Sequence, residues 1–128
     1  MSGLQDEARR SSLVDLVELR LPVSAAVDAV SKFAWDSEIE LVTLSRASAA
    51  ALLERYLQGE LAEADLEEWA NAVEGRDDIG FESEYKGLLG EFVFETANPE
   101  LAAPISENYA RLWVTRLRED RPSGVPGA

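Results

Sequence analysis

The side chains of this 128-residue chain that could do chemistry are almost all carboxylates, and they are densest in Glu74-Gly-Arg-Asp-Asp-Ile-Gly-Phe-Glu82. An EF-hand calcium loop needs oxygen ligands at alternate positions, a central glycine and a glutamate at the twelfth place. Asp77 and Asp78 are adjacent, so that spacing fails and no dedicated metal site is expected. Paired carboxylates with separated pKa values can act as general acid and base, but only in a cleft that holds the two apart. The simpler expectation is an inter-helix loop: Gly75 ends one helix, Arg76 pairs locally, and Ile79 or Phe81 plugs the core. Asp77 and Asp78 are then the side chains to stay in water and make contacts, since such residues are rarely buried.

Composition removes most other chemistry. With no His and no Cys there is no zinc finger, iron–sulfur site, thiol nucleophile, disulfide or histidine-based triad. No phosphate-cradling glycine loop is present, and no cofactor is expected. The formal net charge of −13 argues against direct nucleic-acid binding, because phosphate would be repelled over most of the surface. That charge is not spread evenly. Residues 60–100 hold thirteen acidic and two basic side chains, a balance of −11. Two uses fit: a solvated face that keeps the protein in solution, or a docking surface for a basic partner. For the second use the candidate partner-binding residues are Glu63, Glu67, Glu74, Asp77, Asp78 and Glu82.

Five helical patterns must position these acids. The first follows Pro22 with Val23, Ala26, Val27, Val30, Phe33 and Ala34. The second starts at Ser45, with Ala49, Leu52, Leu53, Tyr56 and Leu57, and stops at Gly59. A third carries Leu66, Trp69, Ala70 and Val73 up to Gly75. A fourth opens near Ser83, runs through Leu89, Phe92 and Val93, and ends before Asn98-Pro99. A fifth has Ser106 as N-cap and Ile105, Tyr109, Leu112, Trp113 and Leu117 along one face. Trp69 and Trp113 are expected in the core, and Trp35, beside Asp36-Ser37, is expected to be the most exposed tryptophan.

Residues 16–21 and 39–44 partly alternate and could be short strands that pair with each other. Residues 12–20 could equally form a further helix, and the pattern leans helical for the first segment and extended for the second. The fold class is therefore all-α or mainly α, a single-domain bundle of about five helices with room for one short strand pair. Residues 1–10 show no apolar stripe and read as a frayed N-terminus, residues 11–119 as the helical domain, and residues 120–128, with two Pro and two Gly, as a tail. No apolar run reaches the ~18 residues of a membrane span, and a cytoplasmic protein is expected.

The segment Ala51-Leu-Leu-Glu-Arg-Tyr-Leu-Gln-Gly-Glu-Leu-Ala-Glu-Ala-Asp-Leu-Glu-Glu-Trp69 resembles the opening of colicin D-type bacterial immunity proteins. It is a helix ending in an aromatic-Leu-x-Gly phrase, followed by a helix with an acidic start and an aromatic residue. Ala97-Asn-Pro-Glu-Leu101 and the helix after it are similar to a later part of that family, so the likeness spans roughly half the chain. Ala62 stands where a Ser or Thr cap is usual. The resemblance implies a small helical, non-enzymatic inhibitor that masks the basic cleft of a cognate nuclease toxin with carboxylates. It maps no individual contact residue. The other class of function left open is a structural or regulatory protein that associates with itself or another protein through an apolar helix face.

Overall fold

Six helices and two three-residue strands follow one another in the computed structural model, which describes residues 2–119, with side chains described from Asp6 onward. The helices are α1 (Ser2–Val17), α2 (Val23–Val30), α3 (Arg46–Leu57), α4 (Glu63–Val73), α5 (Lys86–Ala97) and α6 (Glu107–Leu117); the strands are β1 (Val42–Leu44) and β2 (Ile79–Phe81). The protein is mainly α and a single small domain. The helix beyond the five read from periodicity is α1, so residues 2–10, read as part of a frayed N-terminus, are helical. Their missing stripe has a physical reason. Among the α1 residues whose side chains are described, Leu13, Leu16 and Val17 are the buried apolar ones, whereas Arg9 and Arg10 bond to carbonyl oxygens across the molecule. Residues 120–128 lie outside the described residues.

Local chemistry sets most boundaries. Ser45 Oγ accepts the Ser48 N–H at 3.0 Å and starts α3, and Ser106 Oγ accepts the Tyr109 N–H at 3.2 Å and starts α6. Gly59 and Gly75 take the left-handed angles (φ 86° and 84°) that close α3 and follow α4. Pro22 precedes the first residue of α2, which stops at Val30, short of the Phe33–Ala34 expected from its stripe. The carbonyls of Phe33 and Ala34 are instead taken by Arg76. α5 begins at Lys86, after the Ser83 expected, because Glu84 holds a positive φ of 71° that a helix cannot include.

The helices pair as α1 with α2, α2 with α4, α4 with α5, and α3 with α6. Apolar burial carries this packing. Trp69 and Trp113 are buried on either side of Phe92, with ring centroids 6.1 and 5.3 Å from it. The Trp69 indole N–H donates to the Leu16 carbonyl at 2.8 Å and so fastens α4 to the end of α1. Trp35 is 48% exposed.

The strand pair has a different composition from the one expected. Residues 16–21 hold the end of α1 and a turn in which Leu19 has φ 49°. Within 39–44, Val42–Leu44 is a strand, and it runs parallel to β2 in the register Val42↔Ile79, Thr43↔Gly80, Leu44↔Phe81. A parallel pair needs a crossover, and here α3 and α4 supply it. Main-chain bonds extend the ladder at both ends, from Leu41 N–H to Asp78 O (2.8 Å) and from Glu82 N–H to Leu44 O (2.9 Å). Among the described residues no helix is long and apolar enough to cross a membrane.

Candidate functional site

α4 places the first three candidate acids. It buries Leu66, Trp69, Ala70 and Val73, which turns the opposite side of the helix to water. At about 100° per residue, Glu67 and Glu74 fall within about 40° of Glu63, so the three line one flank. The helix contains no basic residue. Its start is held by half of a capping box: Ala62 has no side-chain acceptor, but the Asp65 carboxylate takes the Ala62 N–H at 2.8 Å. Asp65 is thus occupied locally, while Glu63 is exposed and Glu67 is half-buried.

That flank borders the segment between α5 and α6. Glu63 and Glu67 line a shallow cleft of about 370 Å³ with Ala64, Pro99, Pro104 and Ile105. The Tyr56 hydroxyl donates to Glu63 at 3.4 Å, and partial burial together with the Glu63 charge raises the phenol pKa. Glu74 accepts from the Asn98 side-chain amide at 3.4 Å, which links the far end of α4 to the end of α5.

The remaining three candidates separate. Asp77 is exposed beyond the Gly75 turn, and its backbone N–H donates to the Trp35 carbonyl at 2.9 Å. Asp78, expected in water, is fully buried. Its carboxylate accepts from Arg9 Nε at 2.8 Å and from Arg76 at 2.9 and 3.1 Å, and the same two arginines reach the carbonyls of Phe33, Ala34 and Asp36. Burial pushes this carboxyl upward, but the hydrogen bonds and charges of Arg76 and Arg9 outweigh it and hold the pKa below its ordinary value. Arg76 thus pairs locally, while the 69-residue reach of Arg9 is what takes Asp78 out of solvent. Ile79 is buried beside it, the core plug expected of this loop.

Glu82 is also structural. It accepts the Arg46 backbone N–H at 2.9 Å and the Arg46 side chain at 3.3 Å, while the guanidinium lies 3.6 Å above the Tyr85 ring. Arg116 of α6 clamps Glu91 of α5 through two hydrogen bonds of 3.1 and 3.2 Å and lowers its pKa. Burial and the neighbouring Glu91 raise the pKa of Glu95. Among the described residues, Glu63, Glu67, Glu74 and Asp77 enter no ion pair. Within the −11 of residues 60–100, Glu60, Asp78, Glu82 and Glu91 are thus ion-paired, while Glu63, Glu67, Glu68, Glu74 and Asp77, on and just beyond α4, are among those that are not.

A second surface feature adjoins this flank. Ala103, Pro104, Asn108, Arg111, Leu112 and Thr115 line a groove of about 800 Å³ along α6. Leu112, expected on the buried face of α6, is 63% exposed, and Leu101 in the preceding segment is 70% exposed. The helical wheel gives the reason: Tyr109, Ala110, Trp113 and Leu117 define the buried side, and Leu112 sits about 100° behind Trp113. Its angular offset was the available sign. Leu101 carries no sequence sign beyond its polar and proline-rich neighbours.

Among the described residues no three acidic side chains come together as they would to hold a metal ion. The arrangement is suited to surface recognition by charge and apolar contact. Comparison with protein-family models, with curated proteins and with solved structures finds no match for this chain.

Proposed function

We propose that this protein is a non-enzymatic binding module of the cytosol whose acidic α4 surface covers the basic site of a partner protein. In the form that the resemblance to colicin D-type immunity proteins implies, the partner is a cognate nuclease toxin, and carboxylates occupy the cleft where RNA phosphates would lie. The observation that carries this reading is the set of unneutralised carboxylates at Glu63 and Asp77, both exposed, and at the half-buried Glu67. Charge left without a partner on a surface where other acids are paired steers a cationic surface toward it and rejects anionic ones.

The test is calorimetry of the purified protein against the basic nuclease domain encoded beside its gene, at low and at high salt. A tight, salt-sensitive complex is expected, and it should be lost on combining Glu63→Arg, Glu67→Arg and Asp77→Arg. None of these side chains supports the core, so circular dichroism of the variant should be unchanged. A complex indifferent to the three reversals, or none at all, removes the proposal.

A second reading is favoured by the exposure of Leu101 and Leu112: association with another protein, or with itself, through an apolar face. Under that reading the three reversals leave binding intact and Leu112→Asp abolishes it.

A further inference from the structure

We infer that the acidic flank and the α6 groove form one docking face, and that it takes a basic amphipathic helix of the partner. A bulky apolar side chain of that helix enters the groove at Leu112, while its flanking Lys or Arg residues meet Glu63 and Glu67. This inference rests on the acidic-surface reading above and assigns it a place and an occupant.

Three observations carry it. Pro104 lines both the acidic cleft and the apolar groove, so the two share a wall. Asn108, Leu112 and Thr115 fall on one stripe of α6 at helical spacing. They run over about 10 Å, the length of two turns of a partner helix. Among the described residues the one cation lining the groove, Arg111, is paired with Glu107 at 3.3 Å, so it presents little net charge to an incoming Lys or Arg. Pro104 offers no N–H, which disfavours an added strand at that wall and leaves side-chain contact as the means of recognition.

The charge chooses the partner. A wholly apolar helix would bring hydrocarbon against Glu63 and Glu67 and desolvate them without compensation. A wholly basic one would leave Leu112 in water. A helix with an apolar stripe and cationic flanks satisfies both halves.

The probe is a synthetic helical peptide with a leucine stripe flanked by lysines, titrated into the uniformly 15N-labelled full chain. Two controls accompany it, one with glutamate for each lysine and one with serine for each leucine. Amide shifts are expected together at Ala103, Asn108, Leu112 and Thr115 and at Glu63 and Glu67, and with neither control. Leu112→Asp and the milder Leu112→Ala should each weaken the peptide, the former by about tenfold or more, as expected for an anchor residue. Glu63→Gln with Glu67→Gln should weaken it and flatten its salt dependence.

If the Leu112 variants bind like the parent while the Glu variants do not, the groove assignment is overturned and the acidic-surface reading stands. If neither set matters, both are overturned. Equal binding of the serine control overturns the apolar half. A chain that is dimeric, becomes monomeric on Leu112→Asp and ignores the peptide identifies a second copy as the occupant, and that also overturns the inference.

Discussion

Asp78→Asn is the substitution with the largest effect on stability expected from this structure. The native carboxylate is wholly buried and accepts three charge-assisted hydrogen bonds, one from Arg9 and two from Arg76. Asparagine keeps the shape and removes the charge, which leaves two guanidiniums facing each other, that of Arg76 being only 1% exposed. Removing one member of a buried ion group typically costs about 3–5 kcal/mol, because the remaining charge stays desolvated. Against a total of about 5–15 kcal/mol for a domain, that is about a fifth of the whole or more. Urea unfolding followed by far-ultraviolet circular dichroism measures it. Tryptophan fluorescence adds a local view, since Arg76 lies 5.0 Å from the Trp35 ring centre.

The pH dependence has a definite sign. Asp78 has its pKa lowered by folding, so its contribution is complete above the unfolded-state value of about 3.9 and is lost as pH falls through the lower folded-state value. The gap between parent and Asp78→Asn should therefore be constant near neutrality and narrow in acid. A variant within about 0.5 kcal/mol of the parent at neutral pH, the range usual for inconsequential surface changes, refutes the account of Asp78 as the tie between α1, the 33–36 segment and β2.

Further effects follow from other buried or strained positions. Tyr109 and Thr96 share a buried hydrogen bond of 2.7 Å, and Tyr109→Phe should destabilise by about 1–3 kcal/mol by stranding the threonine hydroxyl, with Thr96→Val recovering most of the loss in the double variant. Burial raises the Tyr109 phenol to about 12, so its share of stability is whole below about pH 10 and declines as pH rises through 12, a dependence that alkaline titration of the parent and Tyr109→Phe can compare. At the glycines, Gly75→Ala forces a Cβ into a left-handed backbone (φ 84°) and should cost about 1–2 kcal/mol. Gly80→Ala, whose nearest neighbour would be the carboxylate end of the exposed and flexible Glu40 side chain, should change stability by less than about 0.5 kcal/mol in thermal melts.

What could be read from the residues is what their near neighbours decide. Ser45, Ser106, Gly59 and Gly75 act within three or four residues, and each does what its type suggests. The buried faces of α4 and of most of α6 follow the same rule, since helical spacing alone orders them. Where a partner lies far along the chain, the pattern is silent. β2 is three residues long, too short to show a period, and its mate β1 is 37 positions earlier. Asp78 looks like a loop acid until Arg9 arrives from 69 positions away. The candidate site is affected in the same way. The acidic block was visible as a charge count, but which carboxylates remain unpaired depends on where Arg9, Arg46, Arg76 and Arg116 land. The groove beside them required knowing that Leu112 turns outward.

The long reach of Arg9 also sets an order of events during synthesis. Its carboxylate is made 69 residues later, a delay of roughly 3–14 s at about 5–20 residues per second of translation. Through that interval α1 has emerged without its ionic anchor, and β1 without the strand that completes it. α2 can pack on α1 meanwhile, whereas α3 must wait for α6 and α4 for α5. The ion group that ties α1 to the 33–36 segment and β2 can thus close only once the chain has been made through Asp78.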